Sequence, residues 1–237
     1  RCPCNAWEVR LIWFRLPHGS QLVQLVVSAH ESVLGSGDDL SNYFYMLMHN
    51  SDFVPRKAFG KTIRGSELID AGCDPKASYY AAFVVVCMGD LNAVDIAQET
   101  HAALLRTAGC LRSHEELQYK TIVPPGKVWK GLYTDDHITI GDVNSAAFVA
   151  WRKGATLPLC SDPALPRIQE TQDCSHAAYV ERKLHRSEGK RFHMSETSTA
   201  WGTQVSSKTG PVRVELPKRS ILAELLVFFP QLASGNA

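Results

Sequence analysis

The sequence predicts an α+β fold: a mostly antiparallel sheet with a central acidic β-hairpin, and helices packed on one face. Two observations carry that reading. Apolar, β-prone runs alternate with stretches of helical period along the whole chain. Two such runs close on Asp135 and Asp136 near its middle, with Val128, Trp129, Leu132 and Tyr133 leading in and Ile138 to Val143 leading out. No internal repeat or low-complexity segment competes with it.

Taken in order, Val9 to Leu16 and Leu22 to Val27 are apolar enough for two strands about the turn Pro17-His18-Gly19-Ser20. Arg10 and Arg15 there suit either phosphates or a solvated face. A glycine-rich turn at Gly35-Ser36-Gly37 then leads into Asp38-Asp39 and the aromatic cluster Tyr43-Phe44-Tyr45. An acid at that place is either a helix N-cap or a carboxylate able to meet the pair at 135 and 136. Residues 50–78 are polar, and Arg56, Lys57, Lys61 and Arg64 interleave with Phe53 and Phe59. Such a stretch tracks a phosphate backbone or is a solvated loop. Tyr79 to Cys87 reads as a buried strand. Met88-Gly89-Asp90-Leu91-Asn92 follows, then a helix to about Ala108 with Val94, Ala97, His101, Leu104 and Leu105 on one face. Gly109 stops it.

Beyond the hairpin, Ala146 to Lys153 is helical in pattern, and Thr156 to Cys174 reads as a proline-rich loop. Ala177 to His185 is a short helix closed by Ser187-Glu188-Gly189. Residues 200–205 alternate like a strand, Lys208 to Pro211 turn it, and Val212 to Leu216 return. A last helix is expected over Ser220 to Phe229.

The 237 residues suffice for one sizeable domain or two small ones. A net charge of +1 gives no global basic footprint, so any nucleic-acid contact must rest on a local patch. The first residue is Arg1, the mark of a fragment or a processed chain. Neither Tyr79 to Met88 nor Ile221 to Pro230 is long enough to span a bilayer, and the first thirty residues lack the parts of a signal peptide. An intracellular protein free of membrane is expected. Seven widely spaced cysteines with no CxxC suit a reducing compartment. Cys160, Cys174 and His176 match no standard zinc spacing.

The acid pair is the sharpest feature. Hairpin turns favour Asp-Gly or Asn-Gly because their backbone needs a positive φ, yet no glycine follows here. Two adjacent like charges repel. They form either a solvated acidic turn or a site for a hard divalent cation, which carboxylate oxygens hold.

Together these stretches resemble the palm of a reverse transcriptase, an RNA-directed DNA polymerase, from a retroelement. The tyrosine–any–Asp–Asp signature stands as Tyr133-Thr134-Asp135-Asp136. The first palm motif, an acid followed five residues later by an aromatic, is matched by Asp39 and Phe44. Gly89 sits where the second motif places a glycine before a helix. Gly189-Lys190 matches the fourth, and Trp201-Gly202 the primer grip. The likeness covers roughly residues 35–216, with residues 1–34 as a remnant of fingers and 217–237 as the start of a thumb, a connection or a tail. The chain departs from the pattern where Cys87 and Met88 precede Gly89, where Ala93-Val94 replace a serine-proline pair, and in the weak trace of fingers and thumb.

The resemblance implies nucleotidyl transfer of deoxynucleotides onto a primer 3′-hydroxyl on an RNA or DNA template, with two Mg²⁺ ions that Mn²⁺ can replace. By that likeness Asp39 and Asp135 hold both metals, with Asp136 less tightly engaged. Phe44 excludes a ribose 2′-hydroxyl, and Gly89 lets backbone approach the nascent base pair. Lys190 protonates or neutralises the leaving pyrophosphate, and Trp201 with Gly202 holds the primer end. Two other readings compete. One is a decayed, inactive retroelement remnant with weak nucleic-acid binding. The other is an RNA-copying RNA polymerase, which Phe44 disfavours.

Overall fold

A computed structural model describes residues 16–25, 27–155 and 162–207, together with the backbone of residues 212–214. The expected strand over Val9 to Leu16, the roles of Arg10 and Arg15, and the last helix lie wholly or almost wholly outside these residues.

The centre is a four-stranded antiparallel sheet in the order β4-β5-β1-β6: β1 is Glu31–Asp39, β4 Val128–Tyr133, β5 Asp136–Asn144 and β6 Phe192–Ser195. The hairpin β4–β5 forms as its sequence predicts, and β1 pairs along the whole of β5, from Glu31 with Asn144 to Asp39 with Asp136. The Gly35-Ser36-Gly37 stretch is therefore the middle of a strand. It is no turn: Gly35 and Gly37 are small because Phe192, and at Gly35 also Ser198, occupy the space a Cβ would need.

Alternation along the strands builds two cores. On one face Val33, Trp129, Ile138 and Ile140 pack with Ala200 and Val205. That face is covered by the small sheet β7 (Thr197–Ala200), β8 (Thr203–Ser206) and β9 (Val212–Val214), and by the short helix α1 (Gly19–Leu22). No strand forms over the described residues 22–25 and 27, where one was expected; the helical turn α1 ends at Leu22, and the His18 side chain caps its start. On the other face Leu34, Val128 and Val143 meet Phe148, Leu165 and Ile168 from helices α3 (Ser145–Arg152) and α4 (Ala164–Glu181). Helix α2 (Ala93–Thr107) joins α4 in a third cluster around Leu40, Leu105, Leu132 and Tyr179.

Helices α2 and α3 fall within a residue of their sequence expectation, with Asn144 capping α3 and Gly109 at φ +74° closing α2. Helix α4 is far longer than expected and absorbs much of the supposed loop over Thr156 to Cys174. Pro163 is its N-cap and Pro166 stands in its first turn, where a missing N–H costs nothing. The run over Tyr79 to Cys87 is not a buried strand. Strand β3 covers Ser78–Ala82, pairs only with β2 (Ala58–Arg64), and leaves Tyr80, Phe83 and Val84 exposed. Among the described residues, no helix is long and apolar enough to cross a membrane.

Candidate acidic site at the hairpin turn

Strands β1 and β5 run antiparallel, so the C-terminal end of one meets the N-terminal end of the other. That register sets Asp39 opposite Asp136. The two carboxyl groups therefore act on each other. Burial, the contact with Asp39 and the charge of Asp135 push the Asp136 carboxyl up to about 7, with Lys190 pulling the other way.

Lys190 lies in the segment that follows α4. This segment is tied to the end of β1 by Ser187 N donating to Asp39 O at 2.7 Å and by Arg186 Nη1 donating to Asp38 Oδ1 at 3.1 Å. Lys190 Nζ then donates to Asp39 Oδ2 at 2.6 Å, and this bond raises the lysine's own pKa. The Lys190 side chain is 66% exposed, so its head is available to a ligand as well as to Asp39.

These groups open on a cavity of about 580 Å³. Its lining brings Asp38, Asp39, Asp136 and Lys190 together with Phe192, Ile138 and residues 199–202. Trp201 and Gly202 are the two turn residues between β7 and β8, at φ +48° and +72°. They therefore form a hairpin turn and do not sit within a strand. The Trp201 ring fills the space above Gly131, which only a glycine leaves free.

Asp135 is not among the cavity's lining residues. It is the second residue of the two-residue turn Thr134-Asp135 that joins Tyr133 to Asp136. Its backbone oxygen accepts from Leu40 N at 3.1 Å, and its Oδ1 accepts from the Thr134 hydroxyl at 2.7 Å. Phe44 lies in a short 3₁₀ turn over Tyr43–Met46 and packs edge-on to Tyr43 against the third core cluster. Gly89 stands in the loop before α2, and a Cβ there would meet open space. Asp90 beside it anchors that loop, accepting from Lys57 Nζ at 2.8 Å and from Cys87 N at 3.1 Å and pairing with His49 at 3.1 Å.

Sequence reasoning missed the support beneath the turn. Thr134 adopts φ +52°, a conformation β-branched residues seldom take. Gln98 of α2 accepts from Thr134 N at 2.7 Å and donates to Leu132 O at 2.8 Å. His101, one turn on, lies 2.7 Å from Thr134 O through Nδ1 and 2.9 Å from the Tyr179 hydroxyl through Nε2. A carbonyl only accepts, so Nδ1 carries the proton and Nε2 accepts from Tyr179. Burial pushes His101 down to about 4, which keeps the ring neutral near pH 7. The only signal for this in the sequence was His101 lying on the apolar face of α2.

No protein-family model and no curated protein sequence matches the chain. Among solved structures, it is similar to a foamy viral protease-reverse transcriptase in complex with double-stranded DNA, with 15% identity over 88% of this chain and 31% of that one and a TM-score of 0.48. A second is the dRH form of the foamy viral protease-reverse transcriptase, also with double-stranded DNA, at 15% identity, TM-score 0.50, covering 89% of this chain and 26% of that one. The second likeness shows a reverse-transcriptase-like fold. This chain spans under a third of the length of either neighbour.

Proposed function

We propose that this chain is the palm of a polymerase that transfers deoxynucleotides onto a primer 3′-hydroxyl, directed by an RNA or DNA template. One observation carries the reading. Asp39, Asp136, Lys190 and the Trp201-Gly202 turn, chosen from motifs spread over more than 160 residues, all line one cavity. Fold likeness alone would not carry it, since one fold hosts many functions.

The donor set suits a hard divalent cation. Asp39 and Asp136 are carboxyl groups in contact, and Asp38 Oδ2 is buried without a hydrogen-bond partner. Among the described residues no group of three or more His, Cys, Asp or Glu is arranged to hold a metal. Asp39 and Asp136 would thus hold Mg²⁺, or Mn²⁺ in its place, jointly with the phosphate oxygens of a bound nucleotide. Asp135 reaches the same ions only by turning from Thr134. When bound, such ions activate the attacking hydroxyl and stabilise charge on the leaving pyrophosphate. Lys190 sits beside Asp39 with its head exposed, suited to meet that pyrophosphate as a charge or a proton donor. Trp201 and Gly202, across the cavity, would hold the primer end. Phe44 would act on the sugar through its place behind Tyr43, and the open space at Gly89 would admit the template base pair.

A second reading is a folded, inactive remnant. Asp39 is already ion-paired with Lys190, and Asp135 does not line the cavity and accepts instead from the Thr134 hydroxyl. Primer extension on an RNA template with Mg²⁺ and deoxynucleotides separates the two, using this chain and the longest reading frame that contains it. Extension that is lost in Asp135→Asn and Asp136→Asn supports the polymerase. No extension by folded wild type, with Mn²⁺ also tried, supports the remnant.

A further inference from the structure

We infer that Gln98 and His101 of α2 are positioning residues that hold the Thr134-Asp135 turn, and through it aim the acidic pair for a divalent cation. The inference deepens the polymerase reading and rests on it for the identity of the ligand.

A two-residue hairpin turn normally recruits glycine or asparagine to bear a positive φ, and here a threonine bears it. That conformation is costly and persists only where the surroundings over-determine it. The surroundings are two side chains from one helix, three residues apart and so on one face of it. Gln98 meets the backbone on both sides of Tyr133, taking the Thr134 N–H and giving to the Leu132 carbonyl. His101 takes the remaining backbone group of Thr134, its carbonyl. Both backbone polar groups of the strained residue are thus bound by α2.

Both side chains are buried, at 6% and 0% exposure, so no water substitutes for either. His101 is fixed in turn from α4 by the Tyr179 hydroxyl. The next link is direct. The Thr134 hydroxyl donates to Asp135 Oδ1, and Asp136 follows as the first residue of β5, opposite Asp39. Any rotation of the Thr134 peptide planes therefore swings both carboxyl groups. Gln98, His101 and Tyr179, from two helices, thus hold the turn from beneath, and Asp136 lines the open cavity. This is how a supporting shell orients ligands it never touches.

The test uses three variants of the whole chain. Gln98→Met keeps the volume and removes both bonds. His101→Phe removes the ring donor. His101→Asn keeps an amide N–H where Nδ1 stood and loses only the link to Tyr179. Two quantities are read: Mn²⁺ affinity by electron paramagnetic resonance, and amide exchange of the peptide spanning residues 132–136 by mass spectrometry. Melting curves identify folded variants. Gln98→Met and His101→Phe are expected to speed exchange at the turn and to weaken Mn²⁺ binding about tenfold, the usual scale for such support, with His101→Asn within about twofold of wild type. The inference is overturned if folded variants keep the turn protected, or if exchange quickens while Mn²⁺ affinity stays at the wild-type value. Should wild type bind no Mn²⁺ at all, the aim at a cation falls together with the polymerase reading. The exchange comparison then decides the clamp on its own.

Discussion

Asp39 and Asp136 face each other as register partners on adjacent antiparallel strands, and Asp39 helps to push the Asp136 carboxyl up. A raised carboxyl pKa means the folded state holds a proton the unfolded chain has lost. For Asp136 that window runs from about 4, its ordinary value, to about 7. Stability from this group is therefore greatest below the window and is lost as pH rises through it. Asp136→Asn should abolish that slope and stabilise the metal-free protein at pH 8 by on the order of 1 kcal/mol, after discounting for solvent screening. Urea denaturation at pH 5 and pH 8 checks it. A wild-type stability equal at both, with no change in the variant, would remove the proton-sharing pair.

Lys190 opposes that shift, so its removal has a definite sign. Lys190→Met should raise the Asp136 titration further, visible by carbon-13 NMR of the carboxyl groups. The lysine is largely exposed, so stability should change by less than about 0.5 kcal/mol. If the chain extends primers, the rate should drop about 10²-fold, as for loss of a general acid. An unchanged rate would leave Lys190 as a surface ion pair.

Gly131 makes a separate prediction about the far wall. A methyl group there collides with the indole of Trp201, so Gly131→Ala should cost about 1–3 kcal/mol in urea denaturation. Adding Trp201→Phe should recover part of the loss by freeing space. Failure of the second change to help would show that the cost lies in the β4 backbone.

Beneath the sheet, Lys130 is fully buried, with Nζ 2.6 Å from Glu115 Oε2, and Glu115 also accepts from Arg167 Nε and Nη2. Burial works against the Glu115 charge, but Arg167 and Lys130 outweigh it and hold the carboxyl down to about 2. Its stability contribution is present above the ordinary carboxylate range and is lost as pH falls toward 2. Glu115→Ala strands a buried ammonium and should destabilise by about 3–5 kcal/mol in denaturant titration. Glu115→Ala with Lys130→Met should recover most of it, since an apolar pair suffers no stranded charge.

What the sequence revealed, and what it hid, follows from how far each signal reaches. The hairpin, α2 and α3 were readable because their periodicity and caps are local. Strand β1 was hidden because Gly35 and Gly37 look like turn formers, and only Phe192 and Ser198, more than 150 residues on, explain them. Helix α4 was hidden by its prolines, which are harmless only in a first turn whose position was unknown. The apolar run after Ser78 was misjudged because hydrophobicity does not say whether a partner sheet will arrive to cover it. At the site, motif spacing named residues that do line one cavity, Asp39, Asp136, Lys190, Trp201 and Gly202. It did not foresee that Asp135 would bond to Thr134 and stay outside the cavity's lining, or that Phe44 would pack beside Tyr43, since both depend on side-chain placement. Gln98 and His101 carry no motif, only a place on a helix face.

The strand order β4-β5-β1-β6 also sets a timetable for synthesis. Strand β1 emerges early, yet its partners on both sides, residues 136–144 and 192–195, emerge more than 90 and 150 residues later. Until then its backbone donors and acceptors stand open on both edges, the condition in which nascent strands pair with the wrong neighbour. Long-range closure of this kind is slow. The two glycines in the middle of β1, with no β-branched or aromatic side chain to offer, make it a poor template for such pairing while it waits.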